Sequence, residues 1–333
     1  MHLALQNVTR RKIDVEKPAR KNWMPWVKRV VSLIVLLAVF SAASKAIRQL
    51  GQQQLDWTDL SLQWMVAAVA CYFASMCSGW CFWHVVLLRM GQKPSWTSSF
   101  CAFFYGQLAK YIPGKALVVV VRTATVAGPG TRASVAAISV FVETVTWLAI
   151  AATIAFVMFG LDSEADWNWR LASTVIFICS FFPTLPPVFR KLVGIVGGKK
   201  FSEARTDARR GINLGTSLIG WAIMSCGWLL AASSLCLILK ALPGTDPVAA
   251  DWISCLGVVT LASVVGFASF LPGGVGVREL VMIPLLAPQF GATQALAAAI
   301  LMRVVWVLTE LLVAAAIFVF KRVKVADKLP RAD

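Results

Sequence analysis

Charge is what this chain of 333 residues has least of. Asp, Glu, Lys and Arg together make up 14% of it, whereas a soluble globular domain carries about 25%. Hydrophobic residues reach 58%, so an ordinary globular protein is excluded and a bilayer is the solvent that fits. Histidine is nearly missing, at two residues, and His84 stands alone at the end of an apolar run, where it reads as a packed interface residue. Cysteine is present but unpatterned. Positions 71, 77, 81, 101, 179, 226, 236 and 255 all fall inside apolar segments, with neither a Cys-x-x-Cys pair nor a histidine cluster beside them. Metal sites and disulfide frameworks need converging ligands at a suitable spacing, so neither is expected, and the cysteines are read as small hydrophobes. No metal and no cofactor is implied.

What the chain does have is long apolar runs. About 20 such residues cross the hydrocarbon core, and Val27 to Ile47, Leu60 to Leu88, Ala133 to Gly160, Leu171 to Phe189, Asn213 to Leu239 and Ala292 to Phe320 all reach that length. Val30 to Phe40 followed by Ser41-Ala42-Ala43-Ser44 also resembles a signal core with small residues after it. The tail before it is long for a signal peptide, and a retained first membrane helix is the preferred reading. Two further apolar regions, Trp96 to Ala127 and Trp252 to Pro288, are interrupted, the first by Pro113-Gly114 and the second by Pro272-Gly273-Gly274. Each half is expected to be too short to cross comfortably. Pro272 lies 159 residues after Pro113, and at that same offset Pro129 falls on Pro288, Ala133 on Ala292, Ala136 on Ala295 and Trp147 on Trp306. Unwound backbone at membrane depth is tolerated only where protein or a water-filled cavity covers it, and paired breaks in two repeats point to a transporter's binding site.

The formal charge of +16 suggests nucleic acid only if it forms one solvated face. It does not. The cations concentrate in an amino-terminal tail (Arg10, Arg11, Lys12, Lys17, Arg20, Lys21, Lys28, Arg29), a central loop (Arg190, Lys191, Lys199, Lys200, Arg205, Arg209, Arg210) and a carboxyl tail (Lys321, Arg322, Lys324, Lys328, Arg331). By the positive-inside rule these lie on the cytoplasmic side, and the acidic loops around Asp56 and Asp59, around Asp162, Glu164 and Asp166, and around Asp246 and Asp251 lie outside. No nucleic-acid partner is expected. The resulting path makes 94–132 begin and end inside and 252–289 begin and end outside. Each is a re-entrant hairpin or, alternatively, two tight crossings. The expected fold is an all-α integral membrane protein of about six full transmembrane helices plus two re-entrant broken-helix hairpins, related as an inverted-topology repeat. Repeat one covers about 94–160 and repeat two about 252–320, within a membrane domain of 30–320 flanked by basic cytoplasmic tails at 1–29 and 321–333.

Three ionisable residues lie deep in the long runs: Glu143, Arg303 and Glu310. A charge at such depth costs roughly 2.5–3.5 kcal/mol on insertion scales. Arg303 and Glu310 are two helical turns apart and share a face, so structural ion pairing is one account of them. The other is that all three face a hydrated cavity. At each break an uncapped helix start aims backbone N–H groups and the positive end of a dipole at that cavity, which suits a phosphate. Lys115 and Arg122 follow the first break, and Arg278 follows the second through Gly273-Gly274-Val275-Gly276. Snorkelling to the interface is the alternative account of Lys110 and Lys115. Glu279 stands ready to orient Arg278, accept an amine or carry a proton.

The stretch Gly106-Gln107-Leu108-Ala109-Lys110-Tyr111-Ile112-Pro113-Gly114-Lys115 with Arg122, together with Leu271-Pro272-Gly273-Gly274-Val275-Gly276-Val277-Arg278-Glu279, resembles the flippase-like transmembrane module of bacterial lysylphosphatidylglycerol synthetases and its stand-alone relatives. The resemblance covers most of the chain from Leu60 onward. It implies a multi-pass protein of the bacterial inner membrane, with both termini cytoplasmic, that moves a lipid between leaflets. In the synthetases that lipid is an aminoacylated phosphatidylglycerol, and in other relatives a polyprenyl-linked or hopanoid-type lipid. It further implies that Lys115, Arg122, Glu143, Arg278, Glu279 and Arg303 line the headgroup path. After Phe320 only a short basic tail follows, so the expectation is a transporter of a phosphate-containing lipid and not an enzyme that makes it. Membrane lipids are the expected partners, with a lipid-synthesising enzyme or glycosyltransferase a possible companion. Two alternatives stand beside this: a membrane-embedded polyprenyl-phosphate-dependent transferase using Asp56 and Asp59 as base or metal ligands, and a non-catalytic membrane partner of a lipid-modifying enzyme.

Overall fold

The computed structural model describes residues 59–112, 116–164, 166–196 and 202–326. The basic amino-terminal tail, the expected helix at Val27 to Ile47, Asp56, Pro113, Gly114, Lys115, Lys199, Lys200 and the last residues of the carboxyl tail lie outside the described residues. Among the described residues the protein is all helical. Eleven α-helices follow in order: α1 Leu62–Arg89, α2 Trp96–Ala109, α3 Ala116–Val126, α4 Ala133–Ala155, α5 Trp167–Phe181, α6 Pro186–Val196, α7 Ser202–Gly211, α8 Leu214–Ala241, α9 Ala249–Ala268, α10 Val277–Phe290 and α11 Ala292–Ala326. Five of these, α1, α4 extended by a π-helical turn to Gly160, α8, α9 and α11, are long and apolar enough to cross a membrane. Large apolar side chains such as Leu62, Val66, Phe141, Leu218 and Leu312 point outward, which is costly in water and neutral in lipid.

The central pair is α1 against α8, which run antiparallel. Small residues bring them close: a Cβ at Gly220 would lie 2.4 Å from the Phe82 ring, and one at Gly227 would lie 2.1 Å from Ser78 Oγ. Without a hydrophobic drive between helices in lipid, such close approach and interhelical hydrogen bonds hold the contact. Ser75 donates to the Gly227 carbonyl at 2.7 Å and Ser234 to the Ala68 carbonyl at 2.8 Å.

Two differences from the sequence expectation concern the crossing segments. The run Leu171 to Phe189 is not one span. Helix α5 ends at Phe181, a single 3-10 turn Phe182–Thr184 follows, and α6 starts afresh at Pro186. Pro183, Pro186 and Pro187 lack the N–H donors that a continuous ladder needs. The second difference is in α9, which has 20 residues and so reaches spanning length by itself. The other three arms of the broken regions, α2, α3 and α10, have 14, 11 and 14 residues.

Helices α2 and α3 form one hairpin, and α9 and α10 form the other. The base of the first sits where α1 ends: Lys93 N–H donates to the Gly130 carbonyl, Gly211 abuts Met90, and Arg132 pairs with Asp207. The base of the second sits where α1 begins and α8 ends. There Ser61 N–H donates to the Ala241 carbonyl, and Gln289 hydrogen-bonds Asp251 across the hairpin. The hairpins thus enter the bundle from opposite ends. Their tips meet inside it, where Gly273 N–H donates to the Lys110 carbonyl at 3.0 Å.

Candidate functional site

The second break is built from glycine. Between α9 and α10 the chain makes a 3-10 turn, Pro272–Gly274, in which Gly273 (φ 60°) and Gly274 (φ 66°) are left-handed, as is Gly276 (φ 82°), which begins α10. Residues with a Cβ adopt that region at a cost of roughly 1–2 kcal/mol each. Even Phe270 is forced there, at φ 58°. A Cβ on Gly273 would also sit 2.9 Å from the Tyr111 ring of the other tip. The missing side chains let the two tips touch.

Beside this junction lies a partly open cleft with about 450 Å³ of empty space counting its mouth. Val259, Ala262, Met282, Ala299 and Met302 supply apolar walls, and Lys110, Tyr111, Arg278, Glu279, Arg303 and Trp306 supply polarity. The charges are ordered in pairs. Arg303 of α11 binds Glu279, which occupies the first turn of α10, where a helix dipole favours a carboxylate. Lys110 Nζ lies 2.5 Å from Glu310 Oε1, and the same oxygen accepts from Tyr72 Oη at 2.6 Å. Glu310 is fully buried. Arg278 differs. Among the described residues it has no carboxylate partner, and its guanidinium lies 4.7 Å from the centroid of the Trp306 ring, which in turn stacks on Tyr72 at 4.9 Å. A desolvated cation over an indole is stabilised by about 2 kcal/mol, which leaves its hydrogen-bonding capacity unused. Arg278 Nε, Arg303 Nε, Trp306 Nε1, Glu279 Oε2 and Glu310 Oε2 are all buried without a partner, and native proteins keep such groups only for a reason.

Residues 26–314 match the lysylphosphatidylglycerol synthase TM region. The chain belongs to that family. It is therefore a multi-pass membrane protein of a lipid-related membrane domain. A 95-residue stretch is also 33% identical to an uncharacterized protein of Synechocystis sp., covering 28% of this chain and 28% of that protein.

Within this member of the family, the structure brings Arg278, Glu279 and Arg303 together on the cleft wall, with Glu310 buried behind Lys110. The shared face of Arg303 and Glu310 does not make them partners of each other, since each is paired across helices. Arg122 and Glu143 sit elsewhere. They bind each other at 2.7 Å, with side chains 4% and 7% exposed, under the Phe103 ring at 4.2 Å from the guanidinium carbon. Pro272, Gly273 and Gly274 form the second tip, and Lys115, Pro113 and Gly114 lie outside the described residues. Asp59 is exposed just before α1. Sequence reasoning gave no site role to Tyr72 or Trp306, and left Lys110 out of the site residues, with snorkelling to the interface as one account of it. The signal for Lys110 was its position directly before the first break. Trp306 showed only as a repeat match, and Tyr72, one residue in an apolar run, carries no local signal.

The two hairpins use one construction with the signs exchanged. In the first, an arginine on the returning helix (Arg122) pairs with a carboxylate on the next long helix (Glu143). In the second, a carboxylate on the returning helix (Glu279) pairs with an arginine on the next long helix (Arg303). In both, a glycine of the entering helix seats the arginine stem: a Cβ at Gly106 would lie 2.5 Å from Arg122 Cγ, and one at Gly266 would lie 2.6 Å from Arg278 Cγ.

Proposed function

We propose that this protein is a lipid translocase. In this reading the cleft holds the phosphate of a phospholipid or polyprenyl-linked lipid while the acyl or prenyl tail stays in the membrane, and the two hairpins are an inverted-topology repeat that exposes the headgroup to each leaflet in turn. The observation that carries it is Arg278: a cation with no carboxylate partner among the described residues, beside two ion pairs, in a cleft at the meeting point of hairpins that enter from opposite ends. A charge-assisted contact to a phosphate is the interaction that such a guanidinium lacks. The bundle end that carries Lys93, Arg132, Arg190, Arg209 and Arg210 is then cytoplasmic, both termini lie there, and the membrane is the bacterial inner membrane. The protein moves a lipid that another enzyme makes, and a lipid-synthesising enzyme or glycosyltransferase is the companion this requires.

The test is leaflet exchange in proteoliposomes containing the full chain and a fluorescent phospholipid, read by quenching of the outer leaflet with dithionite. Arg278→Ala is expected to slow exchange at least about tenfold, a loss of 1.4 kcal/mol or more, at the low end for a buried charged contact. Equal rates for wild type and Arg278→Ala, across the candidate lipids, would argue against the proposal.

A further inference from the structure

The charges around the cleft do not cancel. Lys110, Arg278 and Arg303 contribute three positive charges, and Glu279 and Glu310 two negative ones, so the described cluster carries one uncompensated cation. Each carboxylate is already committed, Glu279 to Arg303 and Glu310 to Lys110 and Tyr72. A net charge in a site walled by Val259, Ala262 and Met302 is unfavourable until an opposite charge arrives. The site is also short of partners of both kinds. Of the residues that line it, Arg278 Nε, Arg303 Nε and Trp306 Nε1 are donors without acceptors, and Glu279 Oε2 is an acceptor without a donor.

We infer that the cleft is matched to a lipid with a single net negative charge: a phosphodiester whose headgroup carries hydroxyls and no ammonium. The inference rests on the reading of the cleft as a headgroup site and names the class of lipid it takes. One phosphodiester charge cancels the one unpaired cation. Phosphate oxygens accept from the orphaned donors, and a hydroxyl of a glycerol or sugar headgroup donates to the free Glu279 oxygen. A phosphomonoester dianion leaves one negative charge unbalanced. A zwitterionic headgroup adds no net charge and leaves the uncompensated cation in place.

The experiment uses the full chain in proteoliposomes and compares exchange of acyl-labelled phosphatidylglycerol, phosphatidic acid and phosphatidylethanolamine. Binding of dihexanoyl phosphatidylglycerol and of free glycerol phosphate to the detergent-solubilised protein is measured by calorimetry in parallel. Wild type is expected to exchange phosphatidylglycerol about tenfold faster than phosphatidylethanolamine, the discrimination one close charge pair supplies. Removing a negative charge, in Glu310→Gln or independently in Glu279→Gln, should move the preference toward phosphatidic acid above the second phosphate pKa, and Lys110→Gln should move it toward phosphatidylethanolamine. A purely structural role lowers all rates together and leaves their ranking alone. Wild-type exchange of the three lipids at equal rates overturns charge matching and leaves the translocase reading in place. Absence of both exchange and binding overturns the headgroup site itself. Binding of glycerol phosphate as tight as that of the dihexanoyl lipid assigns the site to a soluble anion and overturns the lipid class.

Discussion

Arg122 and Glu143 show how a charge is kept at depth by a buried partner. Both are almost completely buried, they meet at 2.7 Å, and Phe103 and Trp83 cover the guanidinium. Deleting one member of such a pair leaves the other desolvated and uncompensated, a loss of about 3–5 kcal/mol, whereas replacing both by apolar side chains of similar size is close to neutral. Arg122→Ala is therefore expected to lower stability by about that amount, and Arg122→Met with Glu143→Leu to recover most of it. Thermal unfolding followed with a thiol-reactive dye reads this in a background with Cys71, Cys77, Cys81, Cys179, Cys226 and Cys236 replaced by alanine, because the remaining Cys101 and Cys255 are buried and become reactive only as the bundle opens. A double variant no more stable than the single would show that the pair does more than balance charge. Residue type and depth were enough to single out Glu143, Arg303 and Glu310 from the sequence. Which of them pair and which face the cleft depends on crossings between helices far apart in the chain, and those leave no local trace.

At the level of elements, the breaks were the legible part. Pro-Gly pairs inside apolar runs mark interrupted helices because proline removes a donor and glycine admits positive φ, and the second interruption falls where Pro272 put it. The interruption at Pro183 and Pro186 was written in the same chemistry, yet the run Leu171 to Phe189 counted as one span on length and hydropathy. That both breaks face one cavity was the expectation from the sequence; the particular contact between Gly273 and the Lys110 carbonyl was not legible. Two substitutions separate the hairpins' roles. Gly266→Ala places a Cβ against the Arg278 stem and displaces the guanidinium from Trp306. It is expected to slow lipid exchange as much as Arg278→Ala while the unfolding temperature falls only slightly. Gly106→Ala makes the same intrusion on Arg122 and is expected to act in the opposite proportion, lowering stability through the buried pair and leaving the exchange rate per folded molecule near that of wild type. Equal effects of the two on exchange would mean that both hairpins serve the cleft alike.

For the molecule as a whole, the sidedness drawn from charge and the ends drawn from contacts can be compared without a shared assumption. Lys93, Arg132, Arg190, Arg209 and Arg210 gather at the end where α1 finishes and the first hairpin has its base. Asp59, Asp246 and Asp251 gather at the opposite end, with the base of the second hairpin. If the positive-inside rule orients this bundle, single cysteines placed at Asp59 or Asp246 will react with a membrane-impermeant maleimide in intact cells, and one at Arg209 only after permeabilisation. Cys179 and Cys226 are exposed, so the labelling is done in the background that keeps only the buried Cys101 and Cys255. The hairpin bases extend the test: Ser95→Cys should label with Arg209→Cys, and Pro247→Cys with Asp59→Cys. Labelling of Ser95→Cys and Pro247→Cys from the same face would place both hairpins on one side of the bilayer. The contact between Gly273 and Lys110 would then join two elements entering together, and opposite halves could not exchange roles around it. Labelling from opposite faces leaves that contact between two elements that enter from opposite sides. On the translocase reading, the cleft beside it then opens toward one base or the other as a hairpin withdraws.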